Sequence, residues 1–402
     1  MRLNKILFVA AAAAMLAGGP VLAAPVSIPA PDAPFINLSA GVMYHSNVAG
    51  TSAAFTSARG LTRSDEIFSP AAAINYSKQL GLITLFTQGT VGYDFYANNT
   101  ILNRERIGVL GGASVQMDGC QLTGRGTYMR RQSDLEDLNF GIIDNTEEDI
   151  IAGADVTCTG FGRLVPSVSV DQTWANNSNN TRLSSDYETF AVSGSLMYQA
   201  GSFGDISLIG QYLDADFQNR LIPVSGAFQN DGYHLYSGGL RYHRELGAFF
   251  DMAVSLSQTS LDYGGVGQNF SGLTYDASLS YHPDSRLQLT AYFARQTNAS
   301  NRLGAAYSID QILQGDASYR LSSRLKAGLG ISNKHQNFRG EDLIFATDIS
   351  KQSVTSFYGS LGFNITSRMN LAFVARNVQR HADLAAYSYA DNQLGLTLSQ
   401  AF

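Results

Sequence analysis

Residues 273–282, LTYDASLSYH, decide how the chain folds. Leu273, Tyr275, Ala277, Leu279 and Tyr281 alternate with Thr274, Asp276, Ser278, Ser280 and His282. A period of two is that of a β-strand with two unlike faces. FDMAVSLSQ (250–258) repeats it, with Phe250, Met252, Val254 and Leu256 set against Asp251, Ala253, Ser255 and Ser257. FAVSGSLMY (190–198) and SFYGSLGFNI (356–365) obey the same rule. A soluble sandwich would turn the apolar face inward. Here the opposite face is made of Gly, Ser, Thr and Asp, which suits a wet lumen inside a lipid-facing exterior.

The connections between these segments alternate in length. Short ones fall at 79–81, 118–119, 159–162, 200–204, 245–247, 283–285, 321–323 and 366–368. Long polar ones fall at 50–64, 97–104, 134–146, 176–185, 219–231, 263–270, 298–305, 338–352 and 382–388. Eight short and nine long connections separate about 18 strands and leave both termini on the short-turn side. Outer-membrane barrels have short periplasmic turns and long external loops. The expectation is an all-β, transmembrane, antiparallel up-and-down barrel over residues 36–402. Its first strand, Ile36–Val48, closes on the last, Ala390–Phe402, whose alternating Leu394, Leu396 and Leu398 lead to a terminal aromatic.

Composition agrees. The 402 residues are 45% hydrophobic but only 15% charged, against about 25% charged in ordinary soluble domains. Mean hydropathy is −0.06, which argues against a bundle of membrane helices. Arg2 and Lys5, then an apolar run from Ile6 to Ala17, then Val21 and Ala23 before Ala24, mark 1–23 as a secretory signal peptide. Its removal leaves 25 basic and 33 acidic residues, a net charge of about −8, with no basic surface for nucleic acid. Five of the nine prolines precede residue 35, so 24–35 reads as an extended periplasmic lead-in. The outer membrane of a Gram-negative bacterium is the expected location, with its lipids, its lipopolysaccharide and the barrel-assembly machinery as partners.

Aromatic residues orient the barrel. Trp174 takes the lipid-facing parity near the outer end, and Tyr198, Tyr281 and Tyr319 take it near the inner end, as interfacial girdles do. Pro70 lies inside the second strand, where a closed barrel offers no edge, and predicts a bulge or a shifted strand start. Cys120 and Cys158 fall at the inner rim of one hairpin with matching parity, which in an oxidising compartment predicts a disulfide.

No catalytic site is legible, and no cofactor or metal is expected. Ser323 and Lys326 have S-x-x-K spacing, but on a turn entering a strand rather than at a helix start. There is no phosphate-binding glycine loop, H-E-x-x-H or Cys/His cluster. By parity the lumen receives Arg106, Arg125, Arg131, Arg241, Lys326, Arg376 and Arg380. Asp94, Asp155, Asp171, Asp251, Asp276 and Asp316 face the same way, as do Tyr96, Tyr292 and Tyr358. Opposite charges across a pore brace it; unpaired arginines would guide an anionic polymer, and the tyrosines would offer sugar-stacking faces.

AGVMYHSNVAG (40–50), followed by SDEIFSPAAAINYSKQ (64–79), resembles the opening of the β-barrel porin-2 group of proteobacterial outer-membrane proteins. His45 stands where that pattern has an acidic residue. The resemblance implies an exopolysaccharide association: an exit pore taking polysaccharide from a periplasmic export protein. A passive porin for small solutes and a plugged structural barrel acting through its loops are the alternatives. A loop such as 134–146 folded inward would favour the porin; a wide bore would favour the exporter.

Overall fold

The computed structural model describes residues 35–402 except 134–143, 225–226, 248, 264–268, 300–304, 306 and 340–348. The signal peptide, most of the lead-in and most of loop 134–146 therefore lie outside the described residues. The strands run β1 (Ile36–His45), β2 (Asp65–Leu80), β3 (Ile83–Tyr96), β4 (Arg104–Met117), β5 (Cys120–Gln132) and β6 (Thr146–Cys158). They continue as β7 (Leu164–Asn177), β8 (Tyr187–Gln199), β9 (Asp205–Val224), β10 (Ala227–Leu246), β11 (Phe250–Tyr263) and β12 (Phe270–Tyr281). The last are β13 (Leu287–Ala299), β14 (Tyr307–Arg320), β15 (Leu325–Arg339), β16 (Lys351–Asn364), β17 (Met369–Ala382) and β18 (Tyr389–Ala401).

Each strand pairs antiparallel with its neighbours in sequence, and β1 closes on β18 from Asn37↔Ala401 to His45↔Gln393. Closure of β1 on β18 leaves neither terminal strand as a free edge. The expected 18-stranded barrel is the fold. All eight short connections are where the sequence puts them. Gly81 and Gly119, at φ 63° and 75°, supply the left-handed residues that the β2–β3 and β4–β5 turns require.

The β12–β13 turn is held by Asp284, which accepts the backbone N–H groups of Leu287 and Arg286 at 2.7 Å each. Those bonds, Leu287 foremost, hold its carboxyl below the usual range. A depressed folded-state pKa contributes stability that is present above the ordinary carboxylate pKa and lost as pH falls through the folded value. Asp284→Asn is therefore expected to remove this acid-side dependence when barrel stability is titrated against pH.

Two expectations are corrected. Pro70 causes no bulge: β1–β2 runs in register through Ala40↔Pro70, and β2–β3 keeps one register on either side of it. Only Ser69 and Pro70 lose their pairing to β3, and the Ser69 hydroxyl donates instead to Asp94 Oδ1 at 2.6 Å. Opposite, a Cβ on Gly92 would meet the Pro70 carbonyl oxygen at 3.0 Å, so glycine lets the strands stay close without the missing N–H. The second correction is at 219–231, read as a loop. β9 and β10 run through it as 20-residue strands, with one register shift at Asn230/Asp231. Polar residues mislead there because the hairpin extends beyond the apolar belt and alternation no longer marks lipid.

The belt is continuous. Leu208, Leu240, Leu256, Leu273, Phe293, Leu329, Phe357 and Leu396 are all exposed and share the outward parity of their ladders. Cys120 and Cys158 stand opposite each other in the β5–β6 ladder and are disulfide-bonded.

Candidate functional site

The lumen is where this fold can do anything selective. The ladders put Arg106, Arg125, Arg131, Arg241, Lys326, Arg376 and Arg380 on the face opposite the belt, together with Asp94, Asp155, Asp171, Asp276, Tyr96 and Tyr358. They are not one surface. Arg125 is clamped between Asp155 at 2.6 Å and Asp171 at 2.5 Å and is only 11% exposed. Gly153 makes the clamp possible, since a Cβ there would meet Asp171 Oδ1 at 2.2 Å and Arg125 Cζ at 3.1 Å. Gly153→Val is expected to part the three charges and to lower the denaturation midpoint of the refolded barrel, whereas Gly124→Ala, with open space at its Cβ, leaves it unchanged.

Other charges are spent on bracing too. Arg106 reaches Asp94 at 3.4 Å and Arg131 reaches Glu147 at 3.1 Å. Arg380, expected to track a polymer, is fully buried instead: its Nε donates to Gln352 Oε1 at 2.9 Å and its guanidinium lies 5.7 Å from the Tyr387 ring centroid. Tyr358 donates to Asp316 rather than presenting a free face. Gly330 leaves room for that bond, because a Cβ there would meet Tyr358 Cε1 at 2.2 Å. Tyr96 packs against the small cluster of Ala49, Leu61 and Leu102. Among the described residues Arg241, Lys326 and Arg376 have no carboxylate partner; Arg376 Nε donates to Ser356 Oγ at 2.6 Å.

Parity extended to the strand ends would have found further inward charges. Lys334 pairs with the fully buried Asp310 at 3.1 Å, and His45 Nδ1 lies 2.8 Å from Asp391 Oδ2. His45 thus joins the first strand to the last. At the inner rim half-buried His243 and exposed Glu245 and Asp251 bring one ligand atom each within 4.8 Å of one another, a geometry that can hold a metal ion.

The outer mouth holds what the sequence did not predict. Leu213, Phe217, Tyr233, Leu235, Leu261, Tyr263 and Phe270, all of lumen-facing parity on β9 to β12, form one buried cluster with Tyr307 of β14. β14 stands four strands from β10 in the wall, about 19 Å at ordinary spacing. Yet the Tyr233 and Tyr307 rings lie 6.1 Å apart. Arg220, paired with Asp231, likewise donates to the Ala305 carbonyl at 3.1 Å. The outer end of β13–β14 therefore leaves the wall and lies over the lumen face of β10–β12.

A closed barrel with an apolar exterior, a charge-braced lumen and short turns along one rim is a transmembrane β-barrel of the bacterial outer membrane. No protein-family model and no curated protein matches the sequence. Solved structures do. A BenF-like porin from Pseudomonas fluorescens aligns at TM-score 0.49 and 11% identity, over 92% of this chain and 99% of that one. OccK2 of Pseudomonas aeruginosa, solved in complex with glucuronate, aligns at 0.48 and 12%, over 92% and 99%. OccAB2 of Acinetobacter baumannii aligns at 0.49 and 11%, over 92% and 98%.

Proposed function

We propose that the chain is a passive porin for small polar solutes. The observation that carries this reading is the apolar block at the outer mouth, where Tyr307 of β14 meets Tyr233 of β10 across the lumen side of the wall. A polymer exit needs a bore that stays open along its length; a narrowed mouth above a braced, polar lumen selects by size and charge. The polymer reading rests on the sequence resemblance alone, and two of the arginines it relied on, Arg125 and Arg380, are occupied in bracing.

In planar bilayers the purified barrel is expected to carry a steady ionic current. Arg376→Gln is expected to shift ion selectivity toward cations, by about twofold in permeability ratio, because its charge has no carboxylate partner among the described residues. Arg380→Gln, buried, is expected to leave selectivity where it is. A chain that inserts and conducts nothing would be a plugged structural barrel. Loss of surface polysaccharide on deleting the gene, with conductance absent, would return the exporter.

A further inference from the structure

The wall of the barrel is not hydrogen-bonded all the way up. β12 pairs with β11 to its very end at Phe270, and β13 pairs with β14 to Ala299. Between β12 and β13, however, the ladder stops at Tyr275↔Arg295. Phe270–Thr274 and Gln296–Ala299 thus run as two facing edges, unpaired among the described residues over roughly 15 Å. The cause is the inward lean of β13–β14 already described.

One side chain spans the seam. Arg295 Nη1 donates to the Leu273 carbonyl at 2.9 Å, and its guanidinium lies 5.6 Å from the centroid of the Phe270 ring. That ring in turn lies over Gly272, where a Cβ would come within 3.1 Å of its Cζ. Two buried polar atoms along the seam have no partner among the described residues, Arg295 Nε and Asn298 Oδ1. Asn298 is 4% exposed, so burial without a partner there is costly unless something else supplies the bond.

The seam opens onto a cavity of about 280 Å³ on the lumen side, whose lining includes Thr274 and Gln296 from its two edges. Arg241 lines the same cavity, and its charge has no carboxylate partner among the described residues. On the outside the seam begins where the lipid-facing belt gives out, between exposed Leu273 and the polar Ser271.

We infer that this seam is a lateral port, through which a single-chain amphiphile with an anionic head exchanges between the outer leaflet and the lumen cavity. The reasons are complementary. A passage with lipid at one end and hydroxyls and arginines at the other suits a molecule that has both an apolar tail and a charged head. Arg295 and Arg241 set the sign of that head. The port is closed by the Arg295 guanidinium and by the Phe270 ring, which is anchored in the buried cluster at the mouth, and not by a ladder of backbone bonds.

The test is independent of whether the barrel conducts. A dodecyl sulfonate carrying a photoreactive diazirine beside the head is placed in the outer leaflet of proteoliposomes, and adducts are mapped by mass spectrometry. Adducts are expected on cavity residues such as Ser257 and Tyr292, besides lipid-facing Leu273 and Phe293. The pair Thr274→Cys and Gln296→Cys, facing each other across the seam by continuation of the ladder, is then oxidised to a disulfide. Cavity adducts are expected to fall at least tenfold in the locked protein, with adducts on Leu273 and Phe293 unchanged. Equal cavity labelling in locked and unlocked protein would mean that the head enters from water, and the port would be refuted. Should the locked variant not assemble, Arg295→Gln serves: cavity labelling by the sulfonate is expected to drop severalfold relative to a dodecyl trimethylammonium probe. An unchanged ratio overturns the proposal.

Discussion

Leu279→Arg is expected to cost the barrel roughly 2–4 kcal/mol, and Ser278→Arg close to nothing. The two positions are adjacent in sequence and opposite in environment. Leu279 faces Met252 and Ala291 in its two ladders, on the belt that meets hydrocarbon. Ser278 faces Ala253 and Tyr292, on the lumen side. An arginine on the belt near mid-membrane must drag its charge through lipid or distort the bilayer, while the same arginine one residue earlier meets water. Urea titration of the two variants in lipid vesicles measures the difference. Equal midpoints would mean that the strand faces the other way, and every lumen assignment would fall with it.

Removing the disulfide is expected to have an effect of similar size. Cys120 and Cys158 close a loop of 38 residues, which the chain-entropy argument values at roughly 3–4 kcal/mol. Its location matters. β5 and β6 are joined at their outer ends, so the bridge ties the hairpin at its open inner end. Cys120→Ser with Cys158→Ser is expected to lower the unfolding midpoint without altering the current through a single inserted barrel, since both residues have belt parity and neither faces the lumen. An unchanged midpoint would show that the neighbouring strands already hold that end in place.

Much of the lumen was legible in advance, because a strand has only two faces. Once Leu279 is outside, Asp276 and Ser278 are inside, and the ladders carry that assignment to every neighbour. Parity says which face a side chain takes but not whom it meets there. Arg125 and Arg376 read alike in sequence. The first is clamped by Asp155 of β6 and, across Gly153, by Asp171 of β7, whereas the second has a serine. Arg380 was misjudged for the same reason: its burial is due to Gln352 and Tyr387, which are brought to it by β16 and by the loop before β18.

Period-two alternation, turn glycines and the rhythm of short and long connections determined by themselves the strand number, the antiparallel order, the closure of β1 on β18 and which face meets lipid, because these are local properties of a chain with two unlike sides. The tertiary structure alone decided how charges pair within the lumen, why Pro70 is tolerated, and that β13–β14 leans inward and leaves a seam beside β12. Each of those depends on contacts between residues far apart in the chain. The meeting of Tyr233 with Tyr307 is set by packing across the mouth, and no pattern within either strand records it.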